Sequence, residues 1–231
     1  MSDRDNQFVV DFGEKTTYGF HGIALNYFVE EVLKKRDDKK SKQLYFRLFR
    51  TGLIGDILYK NGSERIDSEE HSAENELLAA LFESYVFLVR TIFDYLLHFL
   101  EDKYGVKDES FYDFVKKVKD GKYPEIKGKL REHIKKVKLF EEIRALRDSI
   151  KRQTPYISVY VKDNIYWVDG TIYGRDGGKK EDFDQPLRTL VFGYTSALLL
   201  LMSYMAESIT GVSLKEQMEY QKRKSLDDSI E

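Results

Sequence analysis

From Ser68 to Lys103 the chain runs without a proline or a glycine. Strands rarely exceed about ten residues, so an unbroken run of this length predicts a helix of roughly nine or ten turns. Ser68 is placed to cap it, Glu69 and Glu70 suit the positive end of its dipole, and Gly105 marks its stop. Its centre is apolar nearly all round, with Leu77, Leu78, Leu81, Phe82, Val86, Leu88, Val89, Ile92, Phe93, Leu96, Leu97 and Phe99. A helix apolar on most of its circumference needs neighbours on most sides. That requirement points to a helical bundle.

The rest of the chain supplies partners. Ile23–Lys35 and Lys42–Tyr59 carry apolar residues at helical spacing. Glu109–Lys119 and Glu125–Ile150 read as a further pair, separated by Asp120-Gly121-Lys122-Tyr123-Pro124. Pro186–Ile209 reads as a last long helix capped by Asp182 or Asp184, and Leu214–Lys224 as a short charged one. Phe8–Phe12 suggests a brief strand. Between 155 and 175 the period changes to two: Ile157, Val159, Val161 alternate with Ser158, Tyr160, Lys162, and Asp163-Asn164 and Asp169-Gly170 are turn signals. Gly174–Asp184 reads as a polar loop. The expected fold is therefore mainly α, a single helical domain over 1–231, with its bundle core at about 68–152 and 186–210 and a small late β-hairpin or meander.

Composition removes several chemistries. The chain has no cysteine, which excludes disulfides, thiolate metal sites and a cysteine nucleophile. Four histidines, at 21, 71, 98 and 133, are too few for an ordinary multi-histidine metal site, and no Glu-x-x-His pair recurs on two helices. No metal and no cofactor are expected. A formal charge of -2 argues against binding nucleic acid by bulk positive charge alone. Met1–Gln7 is polar and shows no secretory pattern, so a cytoplasmic location is the default expectation. Arg188 and Glu207 bracket an uncharged stretch about as long as a bilayer is thick. It also contains Thr189, Gly193, Tyr194, Thr195, Ser196, Ser203 and Tyr204, so a core helix is expected, with membrane association as the alternative.

Two clusters hold candidate chemistry. On the long helix, Glu76, Glu83, Arg90, Asp94 and His98 fall on one narrow stripe, either a solvent edge with an Arg90–Asp94 pair or the lining of a polar cleft. Further on, Arg144, Arg147 and Lys151 share one helical face beside Asp148, and Arg152 follows. Such a basic strip suits phosphate or RNA backbone, or the acidic stripe of the long helix. Aromatics in the β excursion, Tyr156, Tyr160, Tyr166, Trp167 and Tyr173, could stack on bases, make a protein contact or pack over the bundle. Gly174–Lys180 lacks the spacing of a phosphate loop.

Arg90-x-x-x-Asp94 on a long helix, followed by a later helix ending Leu146-Arg147-Asp148-Ser149-Ile150-Lys151, resembles the HEPN-type helical bundle over about Ser68 to Arg152. The resemblance implies a fold that often dimerises and, in its active members, a metal-independent RNase motif of Arg, a polar residue and a His. Arg147 and Asp148 match the first two positions. The His position is met by Arg152, Gln153 or Thr154, and no His follows His133. An arginine stays protonated and is a poor general base. The expectation is a non-catalytic bundle that binds itself, a protein or RNA through Arg144, Lys151, Arg152, Glu83, Arg90 and Asp94. The alternative is an endoribonuclease of stress or phage-defence type using Arg147 and Asp148, with His98 or an acid displaced from the motif.

Overall fold

In a computed structural model the backbone is described for residues 25–62, 72–108, 110–136, 139–152, 157–173 and 178–227. The expected strand at Phe8–Phe12, the Ser68 cap, His21, His71 and Tyr156 lie outside the described residues. A π-helical turn, Val29–Leu33, precedes α1 (Lys39–Asn61), α2 (Ser72–Tyr104), α3 (Phe111–Lys119), α4 (Gly128–Lys136) and α5 (Leu139–Arg152). Three strands follow, β1 (Ile157–Lys162), β2 (Ile165–Tyr173) and β3 (Lys179–Pro186), then α6 (Leu187–Thr210) and α7 (Leu214–Asp227). The fold class is mainly α with a small late antiparallel sheet, as the periodicity predicts.

Three boundaries differ from the sequence reading. The helix expected over Glu125–Ile150 is two helices, and Gly128 opens the first of them with φ of 61°. That left-handed backbone is accessible to glycine and cannot sit inside a helix. The loop expected over Gly174–Asp184 contains β3, which pairs along β2 from Trp167↔Pro186 to Tyr173↔Lys179. Asp182 and Asp184 therefore belong to a strand and do not cap α6. Asp182 accepts from Thr171 Oγ1 at 2.8 Å, and Asp184 accepts from Tyr160 Oη at 2.6 Å.

The chain divides into two compact units, and α1, α2 and α6 each contribute a part to both. The first unit comprises Met1–Phe49, Tyr95–Lys136 and Ser196–Glu231. Asp38 starts α1 there: its carboxylate accepts from the Ser41 amide at 2.9 Å and the Ser41 hydroxyl at 2.7 Å, an N-cap arrangement. These bonds, the Ser41 hydroxyl first, hold the Asp38 carboxyl down at about 2. Phe28 packs edge-on against Phe99 with ring centres 5.8 Å apart, and the Arg36 guanidinium lies 4.7 Å over the same ring. Buried Gln217 ties α7 to α6, donating to the carbonyls of Ser203 and Val212.

The second unit comprises Arg50–Asp94 and Val137–Thr195. β1 and β2 form a hairpin in register Val159↔Val168, turned by Asp163 and Asn164 at φ of 55° and 60°. Two consecutive left-handed residues make the turn that matches strand twist, and short polar side chains tolerate it. Ile157, Val159, Tyr166 and Val168 are buried. Buried Ser149 in α5 donates to Ala145 O at 2.8 Å and accepts the Tyr173 amide of β2 at 2.9 Å, so one hydroxyl fastens the sheet to the helix. In the core, Tyr85 shares a 2.6 Å hydroxyl bond with Thr195, and its complete burial pushes the phenol well above its ordinary range. A Cβ on Gly62 would lie 3.0 Å from both Arg188 N and Leu58 O, so the end of α1 approaches the start of α6 backbone to backbone.

Candidate functional site

Helix α5 carries the basic strip. Phe140, Ile143, Leu146 and Ile150 are buried at spacings of three and four, which turns Arg144, Arg147, Asp148 and Lys151 to the other side. There Arg144 Nε lies 3.7 Å from one Asp148 carboxylate oxygen and Arg147 Nη1 lies 3.4 Å from the other. All three side chains are between a fifth and a quarter exposed, while Lys151 is exposed. Two guanidiniums bracket one carboxylate. A guanidinium carries five N–H donors, which suits such a pair to phosphate as well as to carboxylate. The Arg152 side chain lies outside the described residues.

The polar stripe of α2 is not uniform. Glu76 and Asp94 are exposed, Glu83 is half-buried, and Arg90 is buried at 7% exposure. Burial raises the Glu83 carboxyl above its ordinary value. Arg90 Nη1 sits 2.6 Å from Asp94 Oδ1, yet makes no aligned hydrogen bond, so the attraction is mainly ionic. These four residues and the α5 strip belong to the second unit, and His98 belongs to the first. His98 Nδ1 lies 3.0 Å from Glu101 Oε2 and 3.2 Å from Lys40 Nζ, so a carboxylate and an ammonium converge on one ring nitrogen.

His133, expected on an exposed basic face, is half-buried, packs edge-on against Tyr204 and faces the Ala197 carbonyl at 3.3 Å. Burial lowers its pKa. The aromatics of the sheet are engaged: Tyr166 is buried, Lys162 Nζ lies 4.2 Å over Trp167, and the bond to Asp184 pushes the Tyr160 phenol up to about 12. Among the described residues no group of three or more His, Asp or Glu side chains could hold a metal ion. α6 is long and apolar enough to cross a membrane, and Leu187, Val191, Leu198, Leu199, Leu201, Met202, Met205 and Ala206 along it are buried.

Sequence reasoning missed one surface. Phe46, Phe49, Leu53 and Ile57 follow each other along α1 at spacings of three, four and four, and are 62%, 44%, 51% and 44% exposed. Those spacings form one continuous apolar stripe on the helix. The same helix buries Leu44, Leu48, Leu58 and Tyr59. Because α1 is apolar on two sides, periodicity alone could not tell the core face from the exposed one. Comparison with protein families, curated proteins and solved structures found no match to this chain.

Proposed function

We propose that the protein is a non-catalytic, HEPN-like helical bundle that acts by binding, and that its first partner is a second copy of itself. The observation that carries this reading is the exposed apolar stripe of α1. Single exposed apolar residues are ordinary on a soluble protein, whereas four in line on one helix mark an interaction surface. A stripe along one helix is self-complementary: two copies related by a two-fold axis can bury it against each other. The α5 strip supports binding over catalysis, because Arg144 and Arg147 bracket the Asp148 carboxylate and the histidine position of the resembled motif is met by Arg152, Gln153 or Thr154.

Light scattering after size exclusion tests the dimer. The wild-type chain is expected at twice its monomer mass, and Leu53→Lys with Ile57→Lys at the monomer mass with unchanged helical circular dichroism. A monomeric wild type across the micromolar range would remove the self-association reading. Incubation with RNA in the absence of metal tests the other half. Neither wild type nor Arg147→Ala is expected to cleave it; cleavage by the wild type that is lost in Arg147→Ala would make the protein a nuclease.

A further inference from the structure

Charge is distributed unevenly along the chain. Between Lys103 and Lys138 lie eleven lysines and one arginine against six acids, an excess of six positive charges in a chain whose balance is -2. The remainder then carries twenty-six cations against thirty-four acids, an excess of eight negative charges. Packing sorts this segment. α3 buries Phe111, Phe114, Val115 and Val118 and leaves Lys116 and Lys119 exposed; α4 buries Leu130 and Ile134 and leaves Lys129 and Lys135 exposed.

Four of the lysines converge. Lys107, Lys116, Lys117 and Lys122 line one open groove of about 470 Å³ around α3 and the turn after it. Two of the groove's acids are already engaged. The Asp108 side chain is fully buried, is paired with Lys117 and accepts from Tyr123 Oη at 2.7 Å. Asp113 accepts from the Ser110 hydroxyl at 2.6 Å in the N-cap of α3. Lys107, Lys116 and Lys122 are exposed, so the groove offers three ammonium groups with Asp120 as the one uncommitted acid among its described lining residues.

The character of the surface selects the partner. Single-stranded nucleic acid is held by stacking on aromatic side chains, and stable membrane attachment needs apolar side chains to insert. The exposed large apolar residues among those described are Phe46, Phe49, Leu53, Ile57, Leu77 and Tyr220, and none falls in this segment. Its Tyr123 hydroxyl is turned to Asp108. A duplex asks only for cations spaced along its phosphates. We propose that the lysine groove around α3 and the turn after it binds double-stranded nucleic acid through its phosphate backbone, without reading sequence.

Fluorescence anisotropy with a labelled, mixed-sequence DNA duplex of about two helical turns tests this. With three phosphates engaged, affinity is expected to fall about fortyfold between 50 and 200 mM salt. Lys107→Glu with Lys116→Glu and Lys122→Glu is expected to lose at least tenfold in affinity at an unchanged thermal midpoint. Arginine at the same three positions is expected to retain binding, as is the charge control Lys39→Glu with Lys215→Glu, at two lysines that do not line the groove. No binding to the duplex, tighter binding to the single strand, capture only by phosphatidylserine vesicles, or an unaffected triple variant would each overturn the proposal.

Discussion

Ser149 concentrates the connection between the sheet and the candidate site in one hydroxyl. It is 1% exposed, donates to Ala145 O and accepts the Tyr173 amide, one residue away from Asp148 along the helix. In Ser149→Ala the Ala145 carbonyl keeps its helical role, whereas the half-buried Tyr173 amide loses this acceptor. A net hydrogen bond is worth about 1 kcal/mol, and a buried group left unsatisfied costs about 1–3 kcal/mol. For a half-buried amide the expected loss is about 1–2 kcal/mol, which at this chain length is a fall in Tm of roughly 2–8 °C. Ser84 is the internal control. It makes the same i to i−4 bond, to Ala80 O at 2.9 Å, but on an exposed side chain with no second partner. Ser84→Ala is expected to change stability by less than about 0.5 kcal/mol, since such back-bonding contributes little to a helix. Urea unfolding of both variants measures the difference, and amide exchange at Tyr173 reports the site directly. If Ser149→Ala falls within about 0.5 kcal/mol of Ser84→Ala, the hydroxyl does not fasten the sheet to α5 and the reasoning fails.

Two further perturbations follow from the geometry. Asp38 has a folded pKa of about 2, below the ordinary carboxylate value, so its contribution is fully present above about pH 4 and is lost as pH falls towards 2. Asp38→Ala is expected to cost about 0.5–2 kcal/mol at neutral pH and to flatten stability over that acid window, measured by thermal melts from pH 2 to 5; an NMR titration should show Ser41→Ala returning the Asp38 carboxyl towards its ordinary value. Gly62→Ala forces a methyl against two backbone atoms at 3.0 Å, and is expected to lower stability by about 1–3 kcal/mol, whereas Gly52→Ala, inside α1 and only half-buried, should be neutral or stabilising by circular dichroism melts.

Local chemistry made much of this protein legible in its sequence. The long α2 follows from an uninterrupted run of helix formers, the Asp163-Asn164 turn from residues that accept left-handed backbone, and the amphipathic α5 from apolar side chains at three- and four-residue spacing. Each depends on neighbours within about one turn of chain. Tertiary structure decided the rest. β3 is almost entirely polar, with Phe183 its one large apolar residue, and becomes a strand because β2 offers a backbone ladder and Thr171 and Tyr160 bind its two aspartates. His133 reads as exposed from its lysine neighbours, yet α6 supplies the Ala197 carbonyl and the Tyr204 ring beside it. The two apolar faces of α1 are nearly equivalent in sequence; one is buried and the other largely exposed because of what the rest of the chain lays against it. Burial is a property of partners distant in sequence, and a periodic pattern can announce an apolar face without saying what will cover it.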